Sequence, residues 1–429
     1  MKRLLACLSL SLLGACATTS NAAVPVVETR SATPLDRRAD QLIALLNGNV
    51  PLEDFFTASF LTAVPPAQIN AITTSLLAQY GKALQVMTIE RKGPNSAVLT
   101  VEFERALGTI EITVEPSAPN KVAGLLATGF VVKGDDFAKI SADFRALPGR
   151  AGYLVQRLDG TRSSELNADN QYAIGSTFKL YVLAELATQI EAGRRKWSDV
   201  VPLDARAFSS SATQGWPRGT PVTLQTLATW MISVSDNAAT DELIRVLGRD
   251  AVEQKLATIG HSAPDKALPL LTTVEAFALK SNAPLRARFE KATEAQQRDI
   301  LESEAAALVY DRIDKSQLGS GPVAIDSIEW SASPADTALL LNHLLQIDSK
   351  TALDIMAVNK GVAPATAAKW RYLGYKGGSE PGVIAMSFLA QSKSGNWYAI
   401  SGAWNNPVKD VDNAAFAALM GRLLDSLVN

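Results

Sequence analysis

The spacing of apolar positions along the first third of the chain predicts helices followed by strands. Residues 42–46 and 69–77 each carry apolar side chains at helical spacing, and the second of these segments follows the start signal Pro65-Pro66. From residue 98 the apolar period changes to two, with alternation through 98–114 around a turn and a longer apolar run at 122–132. The pattern predicts helices packed on an antiparallel sheet.

A second region begins at about residue 150, and its predicted strands lie at its two ends. Residues 153–156 predict a first strand, and residues 383–390 and 397–404 predict two strong strands near the carboxyl end. Residues 412–428 carry the apolar face of a closing helix. Strands at both ends with helices between them predict an antiparallel sheet covered by helices.

These patterns predict an α+β chain of two domains, residues 36–149 and 150–429, with a helical insertion at about 265–325. The order of elements in 36–149 resembles the helix-and-curved-sheet fold of nuclear transport factor 2 and its ketosteroid isomerase relatives. No catalytic motif supports that resemblance, so it implies a fold and no activity. Docking on the second domain is the role that we favour, and cradling a small ligand is the alternative.

The first residues predict export. Met1-Lys2-Arg3 is cationic, and the apolar stretch 4–13 is too short to span a bilayer, which is the layout of a signal peptide. Leu13-Gly14-Ala15-Cys16 resembles the lipobox of bacterial lipoproteins, which implies a signal peptide of residues 1–15 and a lipid on Cys16. A plain signal peptide with an incidental cysteine is the alternative. Residues 16–35 have no helical or strand period and predict a tether.

The composition of the chain limits the classes of partner that we expect. Hydrophobic residues make up 47% of the chain and charged residues 20%, which is typical of a packed globular protein. A net charge of −2 provides no basic footprint, so we expect no nucleic-acid partner and no membrane contact beyond the lipid anchor. Cys7 and Cys16 are the two cysteines, so the mature protein would hold no disulfide. We expect a monomer on the periplasmic side of the envelope that acts on a small molecule.

The main chemical candidate is a serine and a lysine three residues apart at the predicted start of a helix, Ser176 and Lys179. This spacing places both side chains on one helix face. The partial positive charge at a helix start favours a developing alkoxide, and burial favours the neutral form of a lysine. A neutral lysine is the base that a weakly nucleophilic serine needs. By itself, however, Ser-x-x-Lys is common by chance.

Two further motifs support the first. Ser235-Asp236-Asn237 lies between two apolar helical segments, and Lys376-Gly377-Gly378-Ser379 precedes the predicted strand 383–390. The three motifs in this order are typical of class A β-lactamases and penicillin-binding proteins. Residues 150–429 therefore resemble those serine hydrolases, which implies a five-stranded antiparallel sheet with helices on both faces. The two-domain layout is also similar to the β-lactamase-like hydrolase of clavulanate biosynthesis.

The resemblance implies a role for each motif residue. Ser176 would attack the carbonyl, Lys179 would accept its proton, and Ser235 would relay a proton to the leaving nitrogen. Asn237 would hold Lys179 and the substrate amide, and Lys376 would face a substrate carboxylate. The backbone amides of Ser176 and Ser379 would form the oxyanion hole beside Gly378, and the Ser379 hydroxyl is a further contact for the carboxylate.

Two departures from the family pattern are visible. Gly377 stands where the third motif usually has threonine, which we interpret as a minor change. The glutamate-bearing loop Glu-x-x-Leu-Asn, which activates the deacylating water, is not found. The glutamate-rich segment 283–311 is interpreted as a solvated helical insertion. Asp311 and Asp314 are alternative carboxylates, and the spacing selects neither.

The sequence therefore predicts a serine hydrolase acylated at Ser176, with β-lactam hydrolysis as the leading activity. A penicillin-binding sensor, a carboxypeptidase and an esterase with slow deacylation remain alternatives. A degenerate domain that only holds partners is disfavoured by the complete set of motif residues. His261 and His343 lie far from Ser176 and have no neighbours at metal spacing, so we expect no catalytic triad, no metal and no cofactor.

Overall fold

A computed structural model describes residues 33–428 of the chain. The predicted signal peptide, Cys16 and most of the predicted tether lie outside this part. No helix within residues 33–428 combines the length and the apolar character needed to cross a bilayer.

The amino-terminal region consists of four helices and a four-stranded antiparallel sheet. The helices are α1 (Pro34–Leu46), α2 (Leu52–Phe55), α3 (Ala58–Ala63) and α4 (Pro66–Tyr80). The strands, in the sheet order β1-β2-β3-β4, are β1 (Ala83–Arg91), β2 (Ser96–Phe103), β3 (Ala106–Val114) and β4 (Val122–Val132).

The core of this region lies between α1 and one face of the sheet. In β2 the side chains of Leu99, Val101 and Phe103 are fully buried and alternate with partly exposed ones, as a period of two requires. They pack in one cluster with Leu35 and Leu42 of α1. The order of helices and strands is the predicted one, and the likeness to nuclear transport factor 2 stays a prediction.

The carboxy-terminal region is built on a five-stranded antiparallel sheet. Its strands are β5 (Arg150–Arg157), β6 (Arg162–Leu166), β11 (Tyr372–Glu380), β12 (Val383–Gln391) and β13 (Trp397–Asn405), in the order β11-β12-β13-β5-β6. Short strands form two further pairs, β7 (Tyr172–Ala173) with β10 (Ser331–Ala332) and β8 (Val200–Leu203) with β9 (Thr220–Thr223). Strands from both ends of the region thus share one sheet, as the sequence predicts.

Helices cover both faces of this sheet. On one face lie α5 (Phe137–Arg145) and α16 (Asn413–Asp425), whose side chains Phe144 and Phe416 share a cluster with the sheet. On the other face, a larger cluster gathers nine helices within residues 33–428. These are α6 (Lys179–Glu191), α7 (Leu224–Ser233), α8 (Asn237–Leu247), α9 (Arg249–Ile259), α10 (Thr273–Ser281), α11 (Ala283–Lys291), α12 (Glu294–Ser303), α13 (Pro334–Gln346) and α14 (Lys350–Met356). The short helix α15 (Pro364–Ala367) packs through Ala367 against the first cluster.

The two regions are in contact along α15, α16 and β4. Arg422 of α16 binds Asp135 in the segment that joins β4 to α5, with two nitrogen–oxygen distances of 2.8 Å. A cavity of about 490 Å³ lies at this junction, bordered by the stacked rings of Tyr80 and Phe130 on one side and by α16 on the other.

Candidate active site

Ser176 lies in a 3-10 turn, Gly175–Phe178, directly before α6. The sequence predicts a helix from residue 176. In the structure, this segment begins with the tighter 3-10 turn, and the α-helix follows from Lys179. Ser176 borders a cleft of about 400 Å³ together with residues of the second and third motifs, Ser235, Lys376, Gly378 and Ser379. The fold therefore brings three motifs that are far apart in sequence to one place.

Lys179 is fully buried beneath this cleft. Its Nζ donates to Ser235 O at 2.7 Å, to Ser235 Oγ at 3.2 Å and to Asn237 Oδ1 at 2.5 Å. Burial lowers the pKa of Lys179 to about 7, while the charges of Asp241 and Asp236 oppose that shift. A large fraction of Lys179 is therefore neutral near pH 7 and able to accept a proton.

No hydrogen bond joins Lys179 Nζ to Ser176 Oγ among the described residues. Hydrogen bonds between catalytic groups often tighten only once substrate is bound, so this geometry is compatible with proton transfer. Ser235 and Asn237 are the direct partners of Lys179 in this structure.

Ser235 lies in the loop between α7 and α8 with a φ of +60°, a conformation that is strained for serine. Its neighbour Asp236 holds the loop, because it caps α8 through Ala239 N and accepts from Thr213 N and Thr213 Oγ1. The resulting position brings Ser235 Oγ within 3.0 Å of Lys376 Nζ. Ser235 thus connects the two lysines of the site.

Lys376 is buried on β11 and also donates to Gly377 O. Burial and the nearby Lys179 lower the pKa of Lys376 well below its ordinary value. An anion in the cleft would favour the charged form of this lysine.

Gly378 permits β11 to approach the turn that carries Ser176. A Cβ at residue 378 would lie 2.5 Å from Ser176 N and closer still to Ile174 O, so a side chain has no space there. From the other side, a Cβ at Gly175 would lie 3.3 Å from Ser379 N. The backbone nitrogens of Ser176 and Ser379 therefore belong to the same tight junction, where the sequence predicts the oxyanion hole.

The structure thus places all seven predicted catalytic and substrate-binding residues in or directly beneath one cleft. Five border it, while Lys179 and Asn237 lie behind Ser235. Asn237 is held by its Nδ2, which donates to Phe208 O. The roles of these residues stay predictions.

Sequence reasoning missed Asp241, a buried carboxylate one helical turn after Asn237 on α8. Asp241 accepts from Thr273 N at 2.7 Å, from Thr273 Oγ1 at 2.8 Å and from Val274 N at 3.0 Å. Burial raises its pKa to about 7 although these hydrogen bonds lower it. Its spacing of four residues from Asn237 was the available signal, since that spacing places both on one helix face.

The alternative carboxylates Asp311 and Asp314 are exposed, and neither borders the cleft. Asp314 instead caps a short 3-10 turn by accepting from Ser316. No aspartate or glutamate is among the described residues that border the cleft. These residues therefore include no carboxylate that could activate a water at Ser176.

Comparison with known proteins adds the following. The family model described as the β-lactamase enzyme family matches residues 137–361. The solved β-lactamase of Sphaerobacter thermophilus is 21% identical, with a TM-score of 0.49 over 68% of this chain and 94% of that chain. The β-lactamase of Chitinophaga pinensis is 19% identical, with a TM-score of 0.46 over 68% of this chain and 96% of that chain. The structure of PBP-A is 18% identical, with a TM-score of 0.47 over 68% of this chain and 93% of that chain. A search of curated proteins gives no match.

Proposed function

This chain belongs to the β-lactamase enzyme family, and from that premise we propose that it is a serine hydrolase acylated at Ser176 by β-lactams or a related amide or ester. The observation that carries the proposal is the buried Lys179, held by Ser235 and Asn237 directly beneath the cleft that Ser176 borders. A serine nucleophile, a base of suitable pKa and a second hydroxyl are thereby assembled at one site.

In the proposed reaction, Ser176 Oγ attacks the substrate carbonyl carbon and its proton passes to Lys179 Nζ. The amides of Ser176 and Ser379 stabilise the negative oxygen of the tetrahedral intermediate. When the carbon–nitrogen bond breaks, Ser235 Oγ gives its proton to the leaving nitrogen and takes one from Lys179, 3.2 Å away. This half-reaction gives an acyl-enzyme and a neutral amine, and it returns Lys179 to its neutral form.

Hydrolysis of the acyl-enzyme needs an activated water, and none of the cleft-lining residues within 33–428 is acidic. This observation favours a second candidate, a penicillin-binding sensor, carboxypeptidase or esterase in which deacylation of β-lactams is slow. The two candidates share the acylation step and differ in the lifetime of the acyl-enzyme.

To test the proposal, the mature protein and its Ser176→Ala variant are incubated with a fluorescent penicillin and a chromogenic cephalosporin. Intact mass and colour are followed over one time course. We expect an adduct on the wild-type protein and none on Ser176→Ala. Absence of any wild-type adduct, or an adduct retained by the variant, contradicts the proposal.

The same time course separates the two candidates. Steady colour release beyond one equivalent, with an adduct that clears, identifies a β-lactamase. A single burst with a persistent adduct identifies the slowly deacylating alternative.

A further inference from the structure

Gly377 of the third motif and Tyr375, which comes just before that motif, share one space in the structure. Both residues point to the same face of β11, because they are two positions apart on one strand. A Cβ at residue 377 would lie 2.9 Å from Tyr375 Cζ and closer still to its Oη. The phenol of Tyr375 therefore occupies the space that a side chain at residue 377 would take.

The tyrosine ring is held in this position from two sides. It packs against Phe388 with ring centroids 5.0 Å apart. On the other side lies Gly361, where a Cβ would come within 2.5 Å of the ring. Glycine at both 361 and 377 thus makes room for the ring, and Gly377 is more than the minor change that the sequence suggests.

The hydroxyl of Tyr375 is available to a ligand. It has no hydrogen-bond partner among residues 33–428, and Tyr375 borders the cleft of Ser176 and Ser235. Burial raises the pKa of Tyr375 to about 12, so the group stays protonated and can donate at neutral pH.

The side chains around the cleft favour an anion. Lys376 is the one basic residue among the described residues that border the cleft, and none of them is acidic. A cleft with a phenol donor and a lysine in its wall matches the needs of a carboxylate, which accepts hydrogen bonds from both kinds of group.

We propose that Tyr375 Oη donates a hydrogen bond to a carboxylate of the substrate, in the space where the family's third motif has threonine. Tyr375 is then a substrate-binding residue that selects anionic substrates. The inference rests on the proposed function for the identity of the substrate, and it is tested through binding, separately from acylation.

The test measures binding to Ser176→Ala protein by calorimetry, with benzylpenicillin and its uncharged methyl ester as the two probes. Adding Tyr375→Phe is expected to weaken binding of the acid about tenfold or more and to leave the ester almost unchanged, because only the acid offers a charged acceptor. The matched control is Tyr310→Phe, which removes a tyrosine hydroxyl that lies outside the cleft and accepts a hydrogen bond from Lys315. It should change neither affinity.

A second variant checks that the effect belongs to the hydroxyl in that space. Tyr375→Ala frees the space at residue 377, and Gly377→Thr in the same protein places a new hydroxyl there. We expect the double variant to regain preference for the acid over the ester, and Tyr375→Ala alone to lack it.

The inference is overturned if Tyr375→Phe weakens acid and ester equally, if it weakens neither, or if Ser176→Ala protein does not bind the acid. Acylation of the wild-type protein is scored separately with the fluorescent penicillin. Selective acid binding without acylation would refute the proposed function and leave the role of Tyr375 in place.

Discussion

Lys179 shows how burial sets the chemistry of one residue. Its side chain is 0% exposed, and removing an ammonium group from water favours the neutral form. The hydrogen bonds to Ser235 and Asn237 compensate for part of the lost hydration, and the carboxylate of Asp241 adds favourable charge. The balance leaves the pKa of Lys179 at about 7.

The rate of acylation is therefore expected to rise with pH and to reach half of its plateau near pH 7, since only neutral Lys179 accepts the proton of Ser176. Asp241→Asn removes a charge that raises the pKa of Lys179, so the midpoint should move to lower pH. Stopped-flow labelling with fluorescent penicillin between pH 5 and 9 measures both profiles.

Asp354→Asn serves as the control, because Asp354 lies on the surface of α14 beside Lys350. It should leave the midpoint in place. A flat profile, or a midpoint that rises in Asp241→Asn, would count against Lys179 as the base.

At the scale of elements, a buried ionic cluster ties the inserted helices to the strand of the active site. Lys280 at the end of α10 donates to Glu329 at 2.5 Å and to Glu380 at 2.6 and 2.7 Å. The side chains of Lys280 and Glu329 are only 2% and 3% exposed. Glu380 directly follows Ser379 on β11, so the cluster links the insertion to the predicted oxyanion hole.

Lys280→Ala is expected to lower the free energy of unfolding by about 3–5 kcal/mol, because two carboxylates would remain buried without their cation. Guanidinium denaturation followed by circular dichroism measures the change. The matched control is Lys350→Ala, whose side chain is 87% exposed in its ion pair, and which should cost less than about 1 kcal/mol. Equal effects of the two variants would show that the cluster contributes little.

At the scale of the whole molecule, the amino-terminal region is in contact with the region built on the five-stranded sheet. Arg422 is 16% exposed and binds Asp135 with two nitrogens and Asp143 with a third. Planar, two-pronged pairing of this kind gives a fixed orientation as well as binding energy. The segment that leaves β4 is thereby attached to α16, the closing helix of the second region.

Arg422→Ala is expected to reduce stability by about 1–3 kcal/mol, as loss of charged hydrogen bonds in a partly buried site does. It should also speed proteolysis between β4 and α5, because that segment loses its anchor. Arg288→Ala removes an exposed pair with Glu304 and is the control for loss of an arginine. Unchanged cleavage at residues 133–136 would mean that other contacts hold the regions together.

Much of the architecture is encoded in local pattern. Alternation at residues 98–104 and the apolar runs after residue 383 identify strands, because the strand period reflects which side chains face the core. The three motifs likewise name the residues around the cleft. The local context of the first two motifs, a helix start and a loop between helices, follows from the apolar segments on either side. The third motif lies in strand β11, which the sequence pattern did not indicate.

Two features of the site needed the folded chain. In the sequence, Asp241 does not differ from other helical carboxylates. Only the fold brings the amides of Thr273 and Val274, at the start of α10, into hydrogen-bond contact with it. The hydroxyl of Tyr375 and the missing side chain of Gly377 are related only through their shared space. The spacings from Asn237 to Asp241 and from Tyr375 to Gly377 are visible in the sequence. The amides that meet Asp241 and the space that the Tyr375 ring fills are not.

By itself, then, the sequence indicated the strands β2 to β5, β12 and β13, several helices, the order of the three motifs and the Ser176–Lys179 pair, since these depend on neighbours within a few residues. Only the tertiary structure decided the pKa of Lys179, the position of the Tyr375 phenol and the fact that the described residues of the cleft wall include no carboxylate. Those properties arise from burial and from contacts beyond the local segment, such as the one between Lys179 and Ser235, which are 56 residues apart. There packing, and not local preference, fixes which groups meet.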